Sequence, residues 1–215
     1  MISNPQHLLI SLLILTNLFM VSTSRLRAPI GIVALQGILL GLFPCFLHWG
    51  TFSAHTVILS VVGVAVKGIG IPLLLMRAVR GVAVERELKP YIGYTLSIAL
   101  CIFLTGIAFW IGRYVRVSPL FPSPLMISLS LCISFTGLFL MVTRTQAITQ
   151  IIGYLALENG IFTFGISLPV SQSVLVEMGV LLDLLVAVFI MGIVLYHINK
   201  EFDSISTKSL ESLKQ

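Results

Sequence analysis

Residues 124–143 read PLMISLSLCISFTGLFLMVT, twenty consecutive positions without an acidic, basic or histidine side chain. An α-helix rises about 1.5 Å per residue and the hydrocarbon core of a bilayer is about 30 Å thick, so twenty apolar residues suffice to cross it. Within lipid a lone segment satisfies its own backbone hydrogen bonds only as a helix. Six further stretches have the same character: Gln6–Thr23, Ala28–Leu47, Ser53–Met76, Pro90–Gly112, Ala147–Leu168 and Val174–Asn199. The sequence therefore predicts an all-α membrane protein, a bundle of about seven transmembrane helices. Composition agrees: 57% of the 215 residues are hydrophobic and 10% charged, with a mean hydropathy of +1.07. A soluble domain carries about 25% charged residues.

Short connections join the blocks, as in an up-and-down bundle. Pro90 and Pro124 are expected in helix first turns, where a missing N–H costs nothing. The run Ser118-Pro119-Leu120-Phe121-Pro122-Ser123-Pro124 is a rigid loop and marks an internal boundary. It divides the chain into a four-helix part (1–117), a three-helix part (118–200) and a polar tail (201–215). Nothing before the first block has the basic start of a cleavable signal peptide.

The net charge of +5 comes from basic residues scattered singly between apolar blocks, which argues against nucleic-acid binding. It fits topology instead. With the N-terminus outside, the inner loops and tail hold Arg25, Arg27, Arg77, Arg80, Arg86, Lys89, Arg144, Lys200, Lys208 and Lys214, while the outer loops hold Arg113 and Arg116. Cytoplasmic loops carry the excess of Lys and Arg, so the expected orientation is N-terminus outside and C-terminus cytoplasmic. Cys45, Cys101 and Cys132 stand alone in apolar blocks, without the spacing of a zinc or iron–sulfur site, and read as small packing residues.

Three ionisable residues fall near mid-bilayer. Lys67 lies roughly 15 Å and Glu158 roughly 16 Å from the inner ends of their spans, and Asp183 roughly 14 Å from the outer end of its own. Each costs on the order of 2.5–3.5 kcal/mol to insert, so they are expected to face one another, water or a partner subunit. Two acids and a base at one level suit a proton relay, because moving either member of a charged pair shifts the proton affinity of both. The competing reading is an ion pair that only fastens helices.

Lys67 lies within Gly63-Val64-Ala65-Val66-Lys67-Gly68-Ile69-Gly70-Ile71-Pro72, a setting that predicts a kink or bulge. The same glycines would also permit close helix packing. Asn159, beside Glu158, is placed to donate to an acid or orient a water. Glu177 extends a path outward or simply reaches the interface. Gln36 lies mid-span. His48 and His55 flank the first outer loop, and His197 ends the last span; such histidines serve structure or proton transfer. No nucleophile–base pair, phosphate loop or metal cage is visible, so no catalytic residue is assigned.

Arg144 followed by Ile152-Gly153-Tyr154-Leu155-Ala156-Leu157-Glu158-Asn159-Gly160 resembles a segment of the hydrogenase-4 component E family, membrane subunits of nickel–iron hydrogenase and formate hydrogenlyase complexes. Val176-Glu177-Met178-Gly179-Val180-Leu181-Leu182-Asp183, continuing through Val188 and Ile190, is similar to that family's last helix, and the tail with Asp203, Leu210 and Leu213 to its ending. Before Gly81 the likeness is looser, carried by Lys67, Pro72 and the arginine-bearing helix end. The last three spans also resemble subunit K of respiratory complex I, which carries a carboxylate in each of its last two helices. In this chain the glycine-to-acid spacing before Glu158 is longer by about a helical turn, and Asp183 is one methylene shorter than the usual glutamate.

The resemblance implies a non-catalytic subunit of a complex I-like energy-converting hydrogenase in a prokaryotic cytoplasmic membrane. It implies antiporter-like and quinone-site-like membrane partners and a peripheral hydrogenase module. The nickel–iron centre and iron–sulfur clusters would reside in those partners, with no cofactor in this chain. Glu158, Asp183 and Lys67 would then serve proton or sodium translocation, with Glu177, Asn159, Gln36 and His48 as accessory groups. Two alternatives compete: a structural scaffold, and a stand-alone secondary transporter, against which stand the absence of a repeated half and of paired broken helices.

Overall fold

The computed structural model describes residues 5–23, 27–47, 54–80, 91–115 and 124–166, with positions 179, 186, 190 and 192. All regular structure among them is helical: α1 (Pro5–Ser22), α2 (Arg27–Leu47), α3 (Ala54–Gly63), a π-helical segment (Val64–Gly70), α4 (Ile71–Arg80), α5 (Tyr94–Tyr114), α6 (Pro124–Thr143) and α7 (Ala147–Ile166). The four described positions beyond α7 are helical as well. Three helical stretches are long and apolar enough to cross a membrane, Ser60–Arg77, Tyr94–Tyr114 and Leu125–Thr143, and Leu8–Ser22 and Arg27–Phe43 are shorter apolar helices. At 20 residues α7 has the length, but Gln150, Glu158 and Asn159 hold its hydropathy lower.

Helix boundaries follow local chemistry. Pro124 opens α6, where its fixed φ and missing N–H fit a first helical turn. Pro90 does not do the same for α5. That helix begins at Tyr94 behind Gly93, whose backbone is extended (φ −58°, ψ 151°). The Tyr91 amide is committed elsewhere, donating to the Thr143 carbonyl at 3.1 Å, so the chain approaching α5 is tied to the end of α6 before it turns helical.

The expected bulge in the third span is present. Within Val64–Gly70 the helix widens, and the Ile71 amide bonds back to the Val66 carbonyl, five residues away. Pro72 explains the site: it offers no N–H to the turn before it, and its ring crowds the carbonyl of residue 68. The α3–π–α4 span packs on α2 with no room to spare. A Cβ on Gly37 would lie 2.7 Å from the Lys67 carbonyl carbon and oxygen, so only glycine admits the π-helical backbone at this point.

Helices α6 and α7 form an antiparallel hairpin with residues 144–146 between them. Their seam is built of small residues. A Cβ on Gly137 would meet the Gly153 carbonyl oxygen at 2.6 Å, and one on Gly160 the Ser134 amide at 2.6 Å. Such close backbone approach is how apolar helices gain van der Waals contact where lipid supplies no hydrophobic drive. α1 lies against α2, α5 and α6. Met20, Ile30, Leu75, Ile152, Val186 and Ile190 meet in one core cluster, and Leu13, Leu40, Leu129 and Ile133 in a second.

Candidate functional site

The widened turn places Lys67 inside the bundle, and α7 meets it with Glu158. Lys67 Nζ and Glu158 Oε1 are 2.5 Å apart, and both side chains are nearly closed to the outside, at 9% and 4% exposure. A charge-assisted hydrogen bond of this kind is short and about twice as strong as a neutral one. The ammonium also lies 5.2 Å from the centroid of the Phe162 ring, one turn beyond Glu158 on α7, where the ring's negative face adds a cation–π attraction.

The second carboxylate oxygen faces a different environment. Glu158 Oε2 is buried and has no hydrogen-bond partner among the described residues. Beside the pair is a cavity of about 10 Å³ lined by Val33, Lys67, Ile71, Leu155, Glu158 and Asn159, close to the room one water molecule requires. Gly179 is also close to the pair. A Cβ on Gly179 would stand 3.8 Å from Glu158 Oε1. The arrangement is thus a buried acid–base pair beside a water-sized space, with one carboxylate oxygen that has no partner among the described residues.

Of the residues singled out in the sequence, Lys67 and Glu158 are brought into contact, and Asn159 lies buried beside them on the cavity wall. Gln36 is fully buried, but its amide serves α1, donating to Thr16 Oγ1 at 3.1 Å and to Asn17 Oδ1 at 3.3 Å. Asp183, Glu177 and His48 lie outside the described residues. No group of three or more potential metal ligands occurs among the described residues.

Arg144, placed by the charge count in a cytoplasmic loop, lies in the connection between α6 and α7 and is 1% exposed. Its guanidinium donates to the Val21 carbonyl near the end of α1 at 3.0 Å and lies 4.8 Å from the centre of the Tyr94 ring at the start of α5. A cation against the last carbonyls of a helix complements the helix dipole, so Arg144 ties together the ends of α1 and α6 and the start of α5. No pattern in the sequence marks this role, because a basic residue at the end of a span ordinarily reaches water.

Fold and site together define an all-helical chain of apolar spans with a charged pair at its centre. No family model and no solved structure matches it. Over 205 residues it is 28% identical to a Mycobacterium tuberculosis protein described as uncharacterized, covering 94% of this chain and 92% of that protein. It is 23% identical over 206 residues to hydrogenase-4 component E of Escherichia coli, covering 96% of this chain and 95% of that protein. The Shigella flexneri protein of the same description matches equally.

Proposed function

We propose that this chain is a non-catalytic membrane subunit of a hydrogenase-4-type, complex I-like energy-converting complex, contributing intramembrane charges to proton or sodium translocation. The buried Lys67–Glu158 pair carries the reading. Fastening two helices needs no charge, and apolar replacements of a buried ion pair are often as stable or more so. A pair placed there at such cost, with one carboxylate oxygen unpartnered among the described residues and a water-sized cavity beside it, suits a group that must change protonation. The end-to-end similarity to hydrogenase-4 component E supplies the setting. Redox chemistry, the nickel–iron centre and the iron–sulfur clusters belong to partner subunits, with antiporter-like and quinone-site-like membrane subunits alongside.

In this reading seven helices cross the prokaryotic cytoplasmic membrane, and Asp183, four positions after Gly179, is the second carboxylate of the relay. Lys67 is the counter-charge that Glu158 meets. The test is Glu158→Gln and Asp183→Asn in the assembled complex, with ion translocation measured against hydrogen turnover. Loss of translocation with hydrogen chemistry retained is the expected result. Unchanged translocation in a fully assembled complex sinks the relay, and a loss confined to assembly points to a scaffold.

A further inference from the structure

Helices α5 and α6 carry one sequence twice. Ser97-Ile98-Ala99-Leu100-Cys101-Ile102-Phe103-Leu104-Thr105-Gly106 recurs 31 positions later as Ser128-Leu129-Ser130-Leu131-Cys132-Ile133-Ser134-Phe135-Thr136-Gly137. Each copy ends on an arginine seven residues after its glycine, Arg113 and Arg144, and seven of the seventeen positions are identical. The two helices pack side by side in opposite directions. A repeat so placed is related by a local twofold axis, which demands reciprocal contacts, and the contacts are reciprocal. Cys101 Sγ meets Thr136 Oγ1 at 3.6 Å, and Cys132 Sγ meets Thr105 Oγ1 at 3.3 Å. Each threonine hydroxyl also donates to the carbonyl four residues back, that of Cys101 or Cys132, at 2.8 Å.

The symmetry ends at the outer faces. On α6 the face formed by Ser130, Ser134, Gly137 and Met141 receives α7, so closely that Cβ atoms added at Gly137, Gly153 or Gly160 would strike backbone. The matching positions on α5 are Ala99, Phe103, Gly106 and Trp110, and all are exposed. Among the described residues nothing lies within 4 Å of a Cβ built on Gly106. Phe103 and Trp110, 64% and 61% exposed, flank that glycine as two walls. The same stripe continues to Arg113, which is exposed, whereas its counterpart Arg144 is buried against a helix-end carbonyl and an aromatic ring.

We propose that this face of α5 docks a transmembrane helix of another subunit, running antiparallel to α5 as α7 runs to α6. The docked helix has a small residue opposite Gly106 and an acidic side chain at the level of Arg113. Charge and direction argue against α5 of a second copy as occupant: in copies inserted the same way it runs parallel, not antiparallel, and brings Arg113 against Arg113. The idea rests on membership of a multisubunit membrane complex.

The test is a photoreactive benzoyl-phenylalanine at position 103 of the full chain, illuminated in native membranes, with the adduct mapped by mass spectrometry. The expected adduct is a transmembrane peptide of one other subunit, bearing Asp or Glu level with Arg113. Gly106→Leu is expected to abolish it without lowering the chain's own thermal stability, because none of the described residues occupies that space. Adducts to phospholipid alone, or to a second copy of the chain, overturn the proposal. Co-purification with hydrogenase subunits from the same membranes separates the two ideas: a chain that co-purifies but labels only lipid loses the docking face and keeps the complex.

Discussion

Lys67 and Glu158 each make the other tolerable in an apolar interior. Removing one partner leaves an uncompensated buried charge, at a cost of about 3–5 kcal/mol, whereas replacing both with apolar residues of like volume is close to neutral. Lys67→Met alone is therefore expected to lower stability in detergent by that amount, and Lys67→Met with Glu158→Met to recover most of it. A double-mutant cycle on thermal unfolding reads the difference, and simple additivity would sink the pairing. Both residues are legible in the sequence because a charge within an apolar run has nowhere to hide. Arg144 is not, because a basic residue at the end of a span ordinarily reaches water, and only the packing reveals that Val21 and Tyr94 claim it. Arg144→Lys keeps the charge but not the planar group that stacks and donates together. That substitution is expected to lower the melting temperature through loss of about 1–3 kcal/mol.

At the scale of elements, the π-helical segment is the feature that turns a lysine from the wall of a span into its interior. Its place is legible in Gly63, Gly68, Gly70 and Pro72, which weaken the regular hydrogen-bond ladder. What keeps it widened is not legible, because it depends on α2 pressing against Lys67 at Gly37, 30 positions away in sequence. Gly37→Leu is expected to overpack this contact and cost at least about 1–3 kcal/mol, seen as loss of folded yield. Gly31→Leu on the same helix, with nothing within 4 Å of its Cβ, is expected to leave yield unchanged. Equal damage from both would show that helix propensity and not the approach to Lys67 governs. The start of α5 at Tyr94 is hidden for a similar reason: the tie from Tyr91 to Thr143 is tertiary, and a search for prolines in first turns stops at Pro90. The 17-residue repeat escapes a search for repeated halves because it spans one helix only, and its meaning emerges when Cys101 and Cys132 are seen exchanging threonine partners.

For the whole molecule the open question is which way the bundle faces. Ten basic residues in the inner loops and tail against Arg113 and Arg116 set a strong bias under the positive-inside rule, and the burial of Arg144 in the α6–α7 connection leaves it on its side of the bundle. That bias predicts that the α5 end carrying Arg113 is the outer one; the two ends of the reciprocal α5–α6 pair differ, Arg144 being enclosed and Arg113 exposed. A fluorescent protein fused after Gln215 is expected to fluoresce, because that reporter folds in the cytoplasm. Alkaline phosphatase inserted between Arg116 and Pro119 is expected to be active, because it matures outside. The reverse pattern would turn the bundle over and place Arg113 at the cytoplasmic surface. An acidic partner helix would still be required at Arg113, but the side from which protons reach the Lys67–Glu158 cavity would exchange.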